Sequence, residues 1–361
     1  MQKVFIKCLL LLAAVVALNG CGKQLDLAQF PITNNGNINV SDTMYVMQSP
    51  AWYGFNNPKD IIVGNDQLLY VCDTKNSRIV QLDVSGGVIS SLYMGDNVYP
   101  NKIAQDNKFD LLVISDSTTS IDTISVVHRV KLVECGGLVG NARRITLITS
   151  LYPTPNSSKL RKYTAISVYS DNSFIIGRTG PGDPIGIDPG NALIKVKGDS
   201  SITYTEKLSG FQISGNSFYS IENISGITIA RNSTTDFIIS RNTQDTVSLN
   251  KVLWFNYNYS SGAYDPKFTS PAEDIVLTKF GAAASVTQDS YSNFYVIDPT
   301  RNHVFKFNSA GRLLVESFGK YGSGDTEFKN PMGVAHFNKV LYIADTGNNR
   351  IIRYKLSTDL N

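Results

Sequence analysis

Short apolar runs separated by polar turns recur along most of the chain. Four examples are "DIIVGNDQLLYV", "ISVYSDNSFIIG", "ITIARNSTTDFIIS" and "ASVTQDSYSNFYVID". Each predicts a strand, a tight turn rich in Asn, Asp, Ser or Gly, and a second strand. A third strand such as "RIVQLDV" or "RIIRYKL" follows, and no helical periodicity lies between these units. The pattern therefore predicts an all-β protein.

One phrase within this pattern is repeated. It occurs as "YVCDTKNSRIVQLD" from Tyr70, as "YVIDPTRNHVFKFN" from Tyr295 and as "YIADTGNNRIIRYKL" from Tyr342. Its aspartate serves as a marker, and the same position is taken to recur six times, at Asp73, Asp116, Arg178, Arg241, Asp298 and Asp345. Neighbouring markers are 43 to 63 residues apart, which is the spacing of β-propeller blades. Six markers predict six blades.

A propeller of this kind has to close its ring or leave exposed strand edges. The last phrase ends at Leu356, so we expect the sixth blade to have three strands and to lack its outer one. The segment "INVSDTMYVMQ", Ile38 to Gln48, is strand-like and precedes the first full repeat. We therefore predict that this N-terminal strand completes the last blade and closes the ring.

The repeated phrase resembles the NHL repeat, whose core is an apolar pair, Asp-Thr, a turn with Asn, and then Arg-Ile. The first and last blades carry it as Asp73, Thr74, Asn76, Arg78 and Ile79, and as Asp345, Thr346, Asn348, Arg350 and Ile351. The fifth blade matches less completely, and blades two to four are assigned by spacing. The resemblance implies a six-bladed propeller of NHL type, a fold shared by binding scaffolds and some enzymes.

The first twenty residues have the pattern of a targeting segment. Two lysines precede an apolar run from Cys8 to Leu18, which is too short for a membrane span of roughly 20 residues. The run ends in Leu18-Asn19-Gly20-Cys21, which resembles the bacterial lipobox. The resemblance implies cleavage before Cys21, a diacylglycerol thioether on its sulfur and acylation of the new amino terminus. An ordinary signal peptide with a chance cysteine is the alternative.

These features predict the organisation of the chain and its location. We expect a signal peptide over residues 1–20, a lipid-anchored tether over residues 21–37 and the propeller over residues 38–361. Several acyl chains on Cys21 would hold the protein firmly on a lipid bilayer at the cell envelope. Gly22 differs from the aspartate that retains enteric lipoproteins at the inner membrane, which favours the outer membrane. The chain is thus similar to the six-bladed propeller lipoproteins of Bacteroidetes.

Charge and cysteine content narrow the partners. Without residues 1–20, the chain has 31 basic and 30 acidic residues, so no electrostatic feature favours nucleic acid. We expect a monomer. Cys72 falls in a predicted strand and Cys135 lies beside Gly136-Gly137. Although an extracytoplasmic location permits a disulfide, we expect one buried thiol and one loop thiol.

The repeated acid–base pairs have a structural interpretation. Asp73 with Arg78, and Asp345 with Arg350, recur once per blade and are expected to tie the second strand to the third. Blade three carries the charges in reverse, as Arg178 and Asp183. The basic cluster Arg143, Arg144, Lys159, Arg161 and Lys162 is expected to be a solvated surface.

No catalytic residue and no metal ligand set emerges from the sequence. Its histidines, His128, His303 and His336, occupy three different positions relative to their markers, so they are not expected to meet at one zinc. We therefore predict no cofactor besides the lipid on Cys21. A calcium site of Glu, Asp and Asn, as in lactonase-like propellers, stays open as an alternative.

Blades three and four contain the longest insertions, Tyr152–Tyr163, Thr179–Asn191 and Ser209–Asn223. The first and third join one blade to the next, and the second joins strands two and three, so all should rise on one face beside the channel. Candidate ligand-binding residues in and beside them are Tyr163, Arg178, Asp183, Asp188, Phe218, Tyr219 and Arg241. Tolerated surface insertions are the alternative.

We therefore expect a membrane-anchored binding or scaffold propeller that recognises a glycan, a peptide or a protein partner. The alternative is a propeller enzyme, such as a lactonase-like or lyase-like hydrolase, with a metal in the central channel.

Overall fold

The structure of the chain is a computed structural model. It describes residues 43–120, 122–150, 160–182, 188–231, 233–243 and 249–360. Contacts divide the chain into residues 1–42 and residues 43–361, and every described residue belongs to the second unit. Cys21 and the first residues of the predicted closing strand lie outside the described part. No helix among the described residues is both long and apolar enough to cross a bilayer.

Strand β1, Tyr45–Met47, comes first in the chain, and four-stranded antiparallel sheets follow it. Blade 1 contains β2 Pro58–Val63, β3 Leu69–Asp73, β4 Arg78–Leu82 and β5 Val88–Tyr93. Blade 2 contains β6 Val98–Gln105, β7 Leu111–Thr118, β8 Thr123–Lys131 and β9 Arg143–Thr149. Blade 3 contains β10 Lys162–Val168, β11 Phe174–Thr179, β12 Ala192–Gly198 and β13 Ile202–Lys207. Blade 4 contains β14 Ile224–Ile229, β15 Phe237–Arg241, β16 Val252–Asn258 and β17 Ala263–Pro266.

The last two blades are less regular. Blade 5 contains β18 Ser285–Gln288, β19 Phe294–Asp298 and β20 His303–Phe307, and isolated bridges from Leu313 and Phe318 stand beside β20. A small parallel pair follows, β21 Lys320–Tyr321 and β22 Glu327–Phe328. Blade 6 contains β23 Gly333–Phe337, β24 Val340–Asp345, β25 Arg350–Leu356 and, as its outer strand, β1. A short helix, Asp274–Leu277, precedes blade 5.

The innermost strands of the blades form a ring. Each contacts the innermost strand of the blade before it and of the blade after it, and β23 of blade 6 contacts β2 of blade 1. The described residues therefore form an all-β, six-bladed propeller, which confirms the fold class predicted from the repeat.

The hydrophobic core is divided among the interfaces between neighbouring blades. Successive residues of a strand face opposite sides of its sheet, because the side-chain period is two. In β3, Val71 packs with Tyr342 of blade 6, whereas Tyr70 and Cys72 pack with Val113 of blade 2. Both faces of each blade are therefore buried, which explains why its second strand is apolar almost throughout.

Strand β1 pairs antiparallel with β25, with Tyr45 opposite Leu356. The ring of Tyr45 is buried and lies 5.1 Å from that of Phe318, centroid to centroid. Its hydroxyl donates a hydrogen bond to Tyr295 Oη at 2.9 Å. A residue near the start of the described chain is thus part of the core between blades 5 and 6.

The aspartates of the NHL-type motif bind a backbone amide of the preceding loop and the arginine of their own blade. Asp73 accepts hydrogen bonds from the Asn56 amide and from Arg78 Nε, at 2.6 Å each. In blade 6, Asp345 accepts from the Lys329 amide and from Arg350 Nε, at 2.8 Å each. The structural interpretation of these pairs agrees with their geometry.

The threonine after each of these aspartates joins neighbouring blades. Thr74 Oγ1 donates to the Pro100 carbonyl at 2.7 Å, and Thr346 Oγ1 donates to the Pro58 carbonyl at 2.6 Å. Pro100 belongs to the first strand of blade 2 and Pro58 to the first strand of blade 1. The second bond therefore joins the last blade to the first.

Blade 2 requires a correction of the predicted repeat frame. Pro58 lies opposite Asp73 in blade 1, and the corresponding Pro100 lies opposite Ser115 in blade 2. Ser115 therefore occupies the marker position, and Asp116 occupies the position of Thr74. Because a shift of one residue turns a side chain to the other face of a strand, Asp116 cannot play the part of Asp73.

Candidate functional site

Four β-bulges lie in a row around the inside of the ring. The pairing register between the first and second strands shifts at one residue in each of blades 1 to 4. The extra residues are Lys59, Asn101, Thr164 and Ser225. Bulges often turn a side chain toward a site. All four residues line one pocket at the mouth of the central channel, with a volume of about 350 Å³.

Most of the residues that line this mouth pocket have polar side chains. Ala284 and Met332 complete the ring from blades 5 and 6, and Ile224 and Tyr163 also contribute to the wall. The remaining lining residues carry ammonium, carboxyl, amide or hydroxyl groups: Lys102, Asp116, Lys162, Thr179, Asn223 and Asn242. Every blade therefore contributes to one concave surface that combines apolar area with several polar groups, as expected of a ligand site.

The position of Lys102 is distinctive. It extends from the first strand of blade 2, and its Nζ donates a hydrogen bond to the Ala284 carbonyl at 3.1 Å. Ala284 leads into the first strand of blade 5, on the opposite side of a six-membered ring. The side chain therefore crosses the channel. It lines both the mouth pocket and the channel cavity beyond it, whose volume is about 230 Å³.

The other charges of the mouth are partly paired. Lys162 Nζ lies 3.4 Å from Asp116 Oδ1, and Asn101 Nδ2 donates to Asp116 Oδ2 at 3.0 Å. Lys59 Nζ donates to Asn101 Oδ1 at 2.8 Å. Burial lowers the pKa of Lys59, and the charge of Lys102 acts in the same direction. One carboxylate thus stands among three lysines, and the mouth is positively charged.

Asp60 lies below Lys102 in the channel lining. Its Oδ2 accepts a hydrogen bond from the Ile103 amide at 3.0 Å, which bridges the first strands of blades 1 and 2. Burial raises the pKa of this carboxyl, against the opposing effect of Lys102. Asp60 therefore has a role in the packing of neighbouring blades.

The described parts of the three long insertions converge on the face of the ring that carries the mouth pocket. Arg161 Nη1 pairs with Asp188 Oδ2 at 2.5 Å, which joins the first insertion to the second. Asn191 Nδ2 donates to the Ile213 carbonyl at 2.7 Å, which joins the second to the third. Residues 151–159 and 183–187, including Lys159 and the candidate Asp183, lie outside the described part.

Most charged candidates from the sequence hold these loops together. Asp188 pairs with Arg178 at 2.7 Å and with Lys207 at 3.1 Å, besides Arg161. Burial alone would raise the pKa of Asp188, but hydrogen bonds and the charges of these cations lower it to about 2. Arg161 has no exposed surface, which corrects its assignment to a solvated cluster. Arg143 is exposed, as expected.

Arg178 and Arg241 are also fully buried. Arg178 Nη2 donates to the Pro189 carbonyl at 2.6 Å, within its own loop. Arg241 Nη2 and Nε donate to the carbonyls of Gly215 and Glu222, at 2.8 Å and 2.9 Å. Arginine at the marker position therefore binds loop carbonyls, whereas aspartate at that position binds loop amides. Neither guanidinium presents its charge to solvent.

The aromatic candidates differ in exposure. Tyr163 is 4% exposed and donates its hydroxyl to the Thr149 carbonyl at 2.8 Å, so it does not offer a flat face to solvent. Phe218 and Tyr219 are half-buried and pack against the core between blades 3 and 4. A role of these residues in ligand binding stays a prediction.

The histidines and cysteines lie in separate places. His128 is buried in blade 2, where burial lowers its pKa to about 4, and His303 Nδ1 lies 2.7 Å from the Gly319 carbonyl. His336 stacks on Tyr295, with 5.6 Å between ring centroids. The part of the chain that the structure describes holds no group of three metal-ligating side chains. Cys72 and Cys135 are free thiols, as expected.

The sequence interpretation missed the mouth residues themselves. Lys59, Asp60 and Lys102 follow prolines at the start of a first strand, in "PKD" and "PNK". The positions equivalent to Asp60 and Lys102 in blades 3, 4 and 6 hold Ala165, Gly226 and Gly333. The charged residues in the first strands of blades 1 and 2 could therefore have indicated the site from the sequence. The bulges that turn the neighbouring side chains to the mouth left no mark in the sequence.

Comparison with known proteins supports the repeat and the fold. Residues 55–82, which include the first three strands of blade 1, match the family model for the NHL repeat. No curated protein matches the chain.

Several solved structures share its architecture. A protein of unknown function from Bacteroides thetaiotaomicron has a TM-score of 0.59 at 12% identity, covering 88% of this chain and 77% of that one. PQQ-bound aldose sugar dehydrogenase from Streptomyces coelicolor has a TM-score of 0.55 at 12% identity, covering 88% and 99%. Streptogramin B lyase has a TM-score of 0.52 at 10% identity, covering 87% and 98%. At these identities the likeness extends to the fold alone.

Proposed function

We propose that the protein is a lipid-anchored binding protein of the cell envelope whose ligand enters the mouth pocket. The bulges carry this proposal, because they turn one side chain from each of four successive blades into a single cavity. A bulge interrupts regular strand pairing, and four bulges at the same level of the ring support a ligand site at this mouth.

The loops of blades three and four belong to the proposal in a supporting role. The ion pairs of Asp188 with Arg161 and Arg178 hold two insertions together beside the mouth. Phe218 and Tyr219 are half-buried in the third insertion and retain some surface for a glycan, a peptide or a protein partner. Loops that are already held in place lose less conformational entropy when a ligand binds.

A binding screen tests the mouth pocket. A soluble chain that begins at Gly22 is applied to glycan and peptide arrays together with the variant Asn242→Trp. Asn242 is exposed and lines the pocket, so an indole there should block entry with little effect on folding. Ser200→Trp, in the exposed turn between β12 and β13, is the matched control. Binding that survives Asn242→Trp would place the ligand elsewhere. Turnover of a screened compound would instead favour the enzyme alternative.

The lipid anchor is tested independently. Cys21→Ser should prevent lipidation and release the protein from the membrane fraction. Immunoblotting of fractions and the mass of the mature amino terminus give the readout. A variant that is processed normally and stays membrane-bound would contradict the lipoprotein assignment without touching the mouth pocket.

A further inference from the structure

The mouth pocket contains two lysines, Lys59 and Lys102, that form no ion pair with a described residue. Among the described residues, no carboxylate oxygen lies within 4.0 Å of the ammonium of Lys59 or of Lys102. Their hydrogen bonds go to the Asn101 side-chain oxygen and to the Ala284 carbonyl, which are neutral acceptors. Lys162, by contrast, lies beside Asp116. Neither ammonium therefore forms an ion pair within the described chain, although Asp116 partly offsets the effect of burial on the pKa of Lys59 and Lys102 partly offsets that on the pKa of Asp60.

Burial makes this arrangement costly. Both lysines lie on the first strands of neighbouring blades, and Lys59 is buried enough for its pKa to be lowered. Asp60, the nearest acid to Lys102 in the channel lining, directs an oxygen to the Ile103 amide. Two half-buried ammonium groups repel each other and have lost part of their hydration, so an anion placed between them would offset both costs.

The rest of the lining suits sugar hydroxyls. Side-chain amides and hydroxyls surround the two lysines: Asn101, Thr164, Thr179, Asn223, Ser225 and Asn242. Such groups act as both donors and acceptors, which is what a ring of hydroxyls requires. The volume of about 350 Å³ is at the small end for ligand pockets. A monosaccharide unit is a better match to this cavity than a folded partner.

We infer that the ligand is an acidic sugar, either free or at the end of a glycan, whose carboxylate binds Lys102 and Lys59. Its hydroxyls contact the amides and hydroxyls nearer the rim. This inference rests on the proposed binding function of the mouth pocket and narrows it to one ligand class. Because Lys102 crosses the channel, the carboxylate sits near the ring axis and the rest of the glycan extends outward.

Isothermal titration calorimetry of the soluble chain from Gly22 tests the inference. D-galacturonate and D-glucuronate are compared with D-galactose and D-glucose, with acetate and inorganic phosphate as anions without a sugar ring. The uronates should bind at least about tenfold more tightly than the neutral sugars, the effect of one charge-assisted hydrogen bond. Raising the NaCl concentration should weaken the binding of the uronates, because salt screens the attraction between the carboxylate and the lysines.

Variants identify the groups responsible. Lys102→Met and Lys59→Gln should each weaken uronate binding about tenfold or more. Lys197→Met is the control, because Lys197 is exposed on blade 3 and pairs with Asp171 there. Circular dichroism and melting temperature establish that each variant is folded.

The outcomes separate this inference from the proposed function. Equal binding of galactose and galacturonate, or uronate binding that is unchanged by Lys102→Met, overturns the acidic-sugar inference and leaves a neutral ligand in the same pocket. If acetate or phosphate binds as tightly as the uronates, the inference that the sugar hydroxyls are recognised is overturned. Failure of every uronate to bind overturns the inference as well. None of these results contradicts the proposed binding function of the mouth pocket, which fails when array binding is insensitive to Asn242→Trp.

Discussion

Blades 6 and 1 and blades 2 to 4 use the same position in opposite ways. After the marker, blades 6 and 1 have Thr346 and Thr74, whose hydroxyls join neighbouring blades. The same position in blades 2, 3 and 4 holds Asp116, Thr179 and Asn242, which line the mouth pocket. In blades 6 and 1 this side chain is used by the scaffold, whereas in blades 2 to 4 it lines the pocket in which we propose that the ligand binds.

The marker itself shows a second difference. Asp73 and Asp345 bind backbone amides of the preceding loop, whereas Arg178 and Arg241 bind backbone carbonyls of long loops. A guanidinium has five donors and greater reach than a carboxylate, so it can hold an insertion that a carboxylate cannot. Loss of the motif in blades 3 and 4 therefore accompanies the longest loops.

Removal of the closing strand β1 is the strongest test of blades 6 and 1, which carry the repeat motif. A chain that begins at Ala51 lacks β1, whereas a chain that begins at Thr43 retains it. The shorter chain should be less stable by at least about 4 kcal/mol, because it loses the buried Tyr45 ring and exposes the edge of β25. Urea unfolding of both chains measures the difference. Equal midpoints would show that blade 6 does not depend on β1.

Replacement of Asp188 is the corresponding test in blade 3, which lacks the repeat motif. Asp188→Asn should destabilise the protein by about 3–5 kcal/mol at pH 7, because it leaves Arg161 and Arg178 buried without their anion. The folded-state pKa of about 2 lies below the ordinary value of 3.8. This stabilisation is therefore complete above pH 3.8 and is lost as the pH falls toward 2.

The pH dependence gives that prediction its control. The difference in unfolding free energy between wild type and Asp188→Asn should shrink as the pH is lowered from 5 to 2. Denaturant titrations of both proteins at each pH measure this difference. Other carboxyls titrate in both proteins, so their effect on stability cancels in the difference. A difference that is constant with pH would mean that the Asp188 charge does not stabilise the loops.

Thr346→Val and Thr179→Val compare the two halves at one position. Thr346→Val removes a buried donor from the Pro58 carbonyl and should cost about 1–3 kcal/mol. Thr179 is partly exposed at the pocket rim, so Thr179→Val should cost less than about 0.5 kcal/mol. Thermal unfolding of the pair distinguishes them. Similar losses of stability in the two variants would mean that this position has the same structural role in blades 6 and 3.

The smallest effect on stability is expected for Lys102→Met. The substitution removes one hydrogen bond to the Ala284 carbonyl and the charge of Lys102 that opposes the cost of burying Asp60, but it also removes the repulsion between Lys102 and Lys59. The melting temperature should change by little or should rise, as is common when a binding residue is replaced. A large decrease would instead assign Lys102 to the scaffold, against its proposed role.

The sequence could predict the ring but only part of the site. Apolar alternation and the spacing of the repeat predicted six all-β blades, because each blade is a local unit with its own turns. The repeat frame is wrong in blade 2, where the motif is absent, but is correct in blades 3 and 4. The marker of blade 2 was placed at Asp116 rather than Ser115, and a one-residue shift exchanges the two faces of a strand.

By itself, the sequence determined which segments pair locally, because strand period and turn chemistry act over a few residues. It also contained the repeated Asp-Thr and Asn-x-Arg-Ile elements, which are satisfied within a blade or by the next one. Only the tertiary structure decided that Lys59, Lys102 and Asn242 share a cavity and that Arg161 meets Asp188. Closing the ring brings together residues of different blades, and bulges decide which of their side chains face the axis. Neither effect is encoded in the spacing of residues along the chain.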